Sequence, residues 1–482
     1  MRERTRVAAA IVTVGILAAL PRGAAGQGNA GTEAAVGGGP FRAVAAGTAG
    51  VSGEAPTRAF WEEMGDPVLA RLVEEALAAS PDVRAASARV REARGLRSET
   101  AFDRYPTVTS SGSVTRVGLS ASQLPGVPAG DRRQDQWDGG VNGAWEVDVF
   151  GRVRRSVGAR TAGVDAARED VRDVQLALAS EVARSYFDLL GLRERLAVAR
   201  RNAENQRRTL GLVEERLAAG RGSAFDTERA RAQLNATLAI VPLLEASSAA
   251  AENRITVLLG RAPTGGRMDL GEAAELPPLP ETVRVGSPDR LVRARPDVAR
   301  AERQLSAQTQ LVGAQRAGYM PRLSLVAGAG LTTGAADDLA RSGAERYNAG
   351  VQVSWPFLDM GRVRARVGAE RAREDQARAR YDASVLRALE EAETSLTVYE
   401  RTRARLGFLA EAARASERAA ELARIRFREG VADFLSVLDA ERSLLDAQNQ
   451  LTAARVDAAL SLVDVYQATG QGVAAGEEDA VR

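Results

Sequence analysis

The spacing of apolar residues changes several times along this chain, and each change marks an element. From Trp137 to Val147 the odd positions include Trp137, Val141, Trp145 and Val147, and the even ones Asp138, Asn142 and Glu146. Pro321 to Leu331 sets Leu323, Leu325, Ala327, Ala329 and Leu331 against Arg322 and Ser324. Tyr347 to Phe357 sets Tyr347, Ala349, Val351, Val353, Trp355 and Phe357 against Asn348, Gln352 and Ser354. A period of two predicts strands with one apolar face. Thr107 to Val117, mostly Ser and Thr, alternates weakly. Four strands are predicted, at residues 106–118, 137–149, 321–333 and 346–357.

Elsewhere the spacing is three and four. Arg152 to Leu217 and Arg362 to Phe427 are rich in Ala, Leu, Arg and Glu, contain no proline, and predict two very long helices. At 1.5 Å per residue each is roughly 100 Å long. Glycine turns follow at 218–224 and 428–434, then return helices ending at Gly260 and Gly470. A helix spanning Phe60 to Phe102, and another from Glu281 to Gly318, is predicted to lead into each strand pair.

These elements occur twice. Pro81-Asp82-Val83 returns as Pro296-Asp297-Val298, and Pro106 as Pro321. After a shift in offset, Trp145 matches Trp355, and Gly151-Arg152-Val153-Arg154 matches Gly361-Arg362-Val363-Arg364. Arg216, Gly220 and Gly260 match Arg426, Gly430 and Gly470. The chain divides into repeats at 60–283 and 284–470.

Such long helices bury an apolar stripe only against other long helices, as in a coiled coil or helical barrel. Ten-residue strands with one apolar face and aromatic ends fit a transmembrane β-barrel. The alternatives are a soluble coiled-coil rod and a small sheet on a soluble core. Open strand edges do not sit in lipid, and four strands do not close a barrel, so a membrane sheet needs further copies. Three copies give twelve strands and a lumen; two give eight, filled by side chains. The hairpin tips, Leu119 to Gln136 and Gly334 to Glu345, are long and polar, as extracellular loops are.

Composition narrows the chemistry. The chain has no histidine and no cysteine, which removes imidazole and thiol catalysis, His- or Cys-based zinc sites and disulfides. No phosphate- or dinucleotide-binding loop and no Gly-x-Ser-x-Gly occurs. The expectation is a protein without enzyme activity, cofactor or metal. Every basic side chain is arginine, the net charge is +2, and aromatics are 4%. Nucleic acid is therefore not an expected partner. Arg2, Arg4 and Arg6 precede an apolar run to Leu20 and small residues to Ala25, the layout of a signal peptide at 1–25. Residues 26–59 read as a flexible segment and 471–482 as a disordered tail. No later segment reads as a transmembrane helix.

The chain resembles the TolC-type outer membrane factors of the lineage linked to resistance–nodulation–division pumps. The likeness rests on Asp66-Pro67, Ser80-Pro81-Asp82-Val83, Arg295-Pro296-Asp297-Val298, the Trp145/Gly151 and Trp355/Gly361 segments, Ser185 to Leu190, and Arg426-Phe427-x-x-Gly430 with Leu438-Asp439-Ala440. It implies a mainly α fold with a transmembrane β-barrel: a homotrimer with a twelve-stranded barrel in outer membrane lipid and a long α-helical barrel through the periplasm. It implies a tripartite efflux system with a periplasmic adaptor and an inner-membrane pump; a duct of the same fold for secreted polypeptide is the alternative. By the same likeness, Leu435 and Asp439 form the pore gate. Arg216, Gly220, Asp226, Arg426, Phe427 and Gly430 lie at the tips that meet the adaptor.

Read without the likeness, Asp439 is a solvated acid pairing with Arg442, Leu435 a core residue, and the tip glycines helix C-caps. Three departures from relatives stand out. No cysteine follows the signal peptide for lipid attachment, Ser436 stands where some relatives have a second aspartate, and Ala432 where some have a bracing arginine.

Overall fold

The computed structural model describes residues 39–47, 50–54, 59–264, 276–338 and 343–471. The predicted signal peptide, and the tail beyond Gln471, lie outside them. The described residues begin with α1 (Arg42–Ala45) and β1 (Val51–Ser52), then α2 (Phe60–Glu63), α3 (Pro67–Ala79) and α4 (Pro81–Phe102). Strands β2 (Thr107–Gly118) and β3 (Arg133–Val147) lead into α5 (Arg152–Ala218) and its return helix α6 (Ala224–Leu258). The second repeat holds β4 (Val283–Arg284), α7 (Pro288–Ala294), α8 (Pro296–Arg316), β5 (Arg322–Thr333), β6 (Glu345–Ser354), α9 (Met360–Arg428) and α10 (Phe434–Ala468).

The long helices hold 67 and 69 residues, close to the sequence reading. The helices before the strands do not. Phe60 to Phe102 is three helices and Glu281 to Gly318 is β4, α7, α8 and a 3₁₀ turn, because a proline opens each new helix. Proline lacks an N–H and pushes the preceding residue out of the helical region. Asp66 caps α3, its Oδ1 accepting the N–H of Val68 (2.8 Å) and Leu69 (3.1 Å), while Oδ2 accepts the Tyr186 hydroxyl at 2.8 Å. Ser80 caps α4 by accepting the Asp82 N–H.

The N-terminal segment is another correction. Part of the stretch expected to be flexible is built in: Phe41 is fully buried, the Arg42 N–H donates to Glu393, and β1 pairs in parallel with β4. Phe41 and Ala43 are the side chains this Gly/Ala-rich segment buries. A third correction concerns α6, which is long and apolar enough to cross a membrane by length and composition. It packs along α5 instead, as the second arm of a hairpin.

The four long strands form one antiparallel sheet in the order β2-β3-β5-β6. Its register aligns the apolar positions. Val114 faces Trp137; Val141 faces Ala329, which faces Tyr347; Trp145 faces Leu325, which faces Val351. The weakly alternating β2 is thereby resolved. Val108, Ser110, Gly112 and Val114 share the apolar face, and Thr107, Thr109, Ser111, Ser113 and Thr115 the polar one. Strand β3 starts earlier than expected, so its hairpin tip is 119–132 rather than 119–136. Trp145 and Trp355, matched between repeats, donate their indole N–H to the carbonyls of Arg104 (2.9 Å) and Tyr319 (3.1 Å). Each ties a strand to the end of the helical segment before it.

Below the sheet, α5 packs on α4 and α8, and α8 on α9. Further down, the row becomes α6, α5, α10, α9, with α6 and α9 at its ends. Gly191 on α5 leaves room only for the Val456 side chain of α10. That contact fixes the close approach of the two hairpins.

Candidate functional site

Both long helices end in the same backbone motif. The Gly220 N–H bonds to the Leu217 carbonyl and the Arg221 N–H to that of Arg216. The Gly430 N–H bonds to Phe427 and the Val431 N–H to Arg426. The two glycines have φ of 68° and 76°. This is a Schellman end, and its positive φ is the reason glycine stands there. Side-chain caps then start the return helices. Ser223 Oγ accepts the Phe225 N–H, and Asp433 Oδ1 accepts the Ser436 N–H (3.1 Å) and hydroxyl (2.6 Å). The Ser436 hydroxyl, then the backbone N–H, hold the Asp433 carboxyl below its usual range.

The two turns are tied together. Arg216, at the end of α5, donates Nη2 to the carbonyls of Phe427 (2.6 Å) and Arg428 (3.0 Å), and its guanidinium lies 4.2 Å from the Phe427 ring centre. It thus caps the C-terminus of α9 from a different hairpin. Phe427 is buried with Val213, Ala230, Phe434, Val437 and Leu438, and stacks obliquely on Phe434 at 5.8 Å. Of the sequence-predicted tip residues, Gly220, Arg426 and Gly430 are exposed, Asp226 and Arg216 half-buried, and Phe427 buried. Phe427 and Arg216 are therefore the internal brace of the tips; a ring at this spacing packs inward because it faces α5 and α10.

Leu435 and Asp439 are exposed on one face of α10, while Val437 and Leu438 point into the core. Arg442 does not pair with Asp439: its Nε donates to Gln233 on α6 at 2.8 Å. The sequence reading missed Phe225, exposed at the first tip and covered by the Arg229 guanidinium at 5.4 Å. The repeat offset that pairs Gly220 with Gly430 also pairs Phe225 with Leu435, so the signal was present.

Above the tips, the seam between the hairpins is polar. Glu441 is buried, accepting from Arg424 Nε at 2.9 Å and Thr209 Oγ1 at 3.1 Å, which joins α5, α9 and α10. Asn202 donates to Gln448 at 2.8 Å. Between them Gln206 is buried with neither end of its amide partnered. Such a seam holds helices together less firmly than a dry one.

A sheet with one largely apolar face and two unpaired edges, running into helices of roughly 100 Å, fits one segment of the wall of a membrane-anchored helical duct. The comparisons give that duct its family. The family described as outer membrane efflux protein matches residues 72–261 and 288–471, and this chain belongs to it. The solvent efflux pump outer membrane protein SrpC of Pseudomonas putida is 32% identical over 413 residues, covering 84% of this chain and 86% of SrpC. The pyoverdine export outer membrane protein OpmQ of Pseudomonas aeruginosa is 31% identical over 434 residues, covering 88% of this chain and 89% of OpmQ. The solved outer-membrane channel OprN superposes with a TM-score of 0.83 at 37% identity, covering 90% of this chain and 96% of OprN. The protein is an outer membrane efflux channel with two tandem repeats, and its family is one of channels rather than enzymes.

Proposed function

We propose that three copies of this chain close into one duct, with twelve strands in the outer membrane and a helical barrel in the periplasm, which carries small molecules outward. The observation that carries this reading is the sheet: below the Arg116–Asp135 pair and Glu345 at its tip end, one face is apolar down to Val147 and Val353, yet β2 and β6 have free edges. Twelve residues at about 3.3 Å each, tilted as barrel strands are, cover roughly the 25–30 Å of an outer membrane core. Helices α6 and α9, at the two ends of the row, expose Leu243 and Ile240, and Phe408, Leu422 and Val398, respectively. Joining copies end to end buries both sets.

In this reading a periplasmic adaptor fits over the tips around Gly220 and Gly430, and an inner-membrane pump delivers the cargo. Leu435 and Asp439 of three copies form the constriction. The chain is exported by its N-terminal signal and held by the sheet in outer membrane lipid, without a lipidated cysteine. Small molecules are favoured over polypeptide because SrpC and OpmQ, matched along most of their length, are named for solvent efflux and pyoverdine export. Protein purified in detergent should be trimeric and conduct ions in planar bilayers. A stable monomer in water without detergent overturns the proposal.

A further inference from the structure

Charge is unevenly placed along this chain. The whole sequence is almost balanced, with 65 basic and 63 acidic residues. Directly beneath the sheet it is not. Residues 99–106, 146–155, 316–322 and 359–366 hold nine arginines and five acids. Three of the acids are engaged, Glu146 with Arg152, Asp148 with Arg154 and Asp359 with Arg362, while Glu99 and Asp103 stay exposed beside Phe102. Arg155, Arg316, Arg322, Arg364 and Arg366 are exposed and form no ion pair among the described residues. Arg322 shares the polar face of the sheet with Ser324. The other four lie within the last turn of α8 or the first two turns of α5 and α9, and Arg155 reaches across α8 over Gly313, where any side chain would collide with its guanidinium.

Immediately above these arginines is an apolar belt. Phe102 and Tyr105 stand where α4 meets β2, Val149 and Phe150 where β3 meets α5, and Met320 before β5, all exposed. Phe357 and Leu358, before α9, are exposed too, Leu358 by 88%. Val149 and Phe357 extend the odd-numbered apolar rows of β3 and β6. A surface that passes within a few residues of chain from bare aromatic and aliphatic side chains to unpaired guanidinium groups matches an amphiphile with an acyl chain and an anionic head.

We propose that this collar binds anionic phospholipid of the periplasmic leaflet, with Arg155, Arg316, Arg364 and Arg366 on the headgroup phosphates and the belt residues against the acyl chains. The inference rests on the reading of the sheet as membrane-embedded. Guanidinium suits the task because its planar fork makes two hydrogen bonds to one phosphate. The bound lipid fixes the depth of the duct in the bilayer.

The full-length protein is reconstituted in bilayers of phosphatidylethanolamine with a minor fraction of phosphatidylglycerol, and the retained lipid is identified by native mass spectrometry. The expected result is enrichment of phosphatidylglycerol by about fivefold or more over the bulk. It should be lost in the fourfold variant R155Q/R316Q/R364Q/R366Q and largely kept in the matching lysine variant. Absence of enrichment in the parent, or equal enrichment in the glutamine variant, overturns the proposal. So does a glutamine variant that keeps its lipid but changes anion conductance, which would place the arginines in the lumen. Failure of the parent to insert sinks the membrane reading itself, whereas insertion without enrichment sinks only the collar.

Discussion

Arg216 shows how one side chain can hold two hairpins together. Its two hydrogen bonds satisfy carbonyls that the end of α9 leaves open, and its guanidinium lies over the Phe427 ring. A half-exposed charged donor of this kind, with a cation–π contact, contributes roughly 1–2 kcal/mol to local order. Arg216→Gln is expected to speed limited trypsin cleavage after Arg426 and Arg428 about tenfold, with the barrel unchanged; Arg216→Lys should rescue little, since an ammonium lacks the fork. The sequence marked Arg216 and Phe427 as tip residues but as outward ones. Their contact joins residues 211 apart, and nothing local signals it. Asp433 was not singled out at all, although an acid before a helix is a readable cap. Its depressed folded pKa means that its cap is fully formed above the ordinary carboxylate range and is lost as pH falls through the lowered value. Tip opening, followed by the acid protease pepsin rather than trypsin, should therefore rise below about pH 4 and be flattened in Asp433→Asn, which caps without titrating.

At the scale of elements, the long helices and their ends were legible because period and glycine agree. Gly220, Gly260, Gly430 and Gly470 all end helices at positive φ. The forty-residue helices were misread because apolar spacing persists through Pro67, Pro81 and Pro296 while the backbone does not. The seam between the hairpins was not legible, since partners on α5 and α10 are more than two hundred residues apart. Gln206 is its weak point, buried with both ends of its amide unpartnered. Gln206→Leu removes two unpaired groups and keeps the volume, so it should stabilise hairpin packing by about 1 kcal/mol. The measurable outcome is a higher melting temperature together with a lower open probability. A lower melting temperature would show that the amide has a partner in the assembled duct.

For the whole molecule, the decisive geometry is the one that only symmetry completes. Leu435 and Asp439 lie one turn apart on an exposed face of α10, just past the second tip. In the proposed trimer, a threefold axis would set a leucine ring beside a carboxylate ring. A narrow apolar ring resists conduction by shedding water, and a carboxylate ring favours cations. Carboxylates about 6 Å apart repel by roughly 1 kcal/mol per pair at high dielectric and about 3 at an effective value of 20. A closed state built on that ring would have to offset the cost. Arg442 does so only by leaving Gln233, so bound cations are the simpler source. Asp439→Ala should then weaken both cation selectivity and block by divalent ions in single-channel recordings. Leu435→Ala should raise conductance and admit large antibiotics to cells lacking the pump. If both mutants conduct like the parent, the constriction lies elsewhere. The pair to test next is Phe225 and Asp226 at the first tip, where an exposed ring and an acid stand at the matching turn.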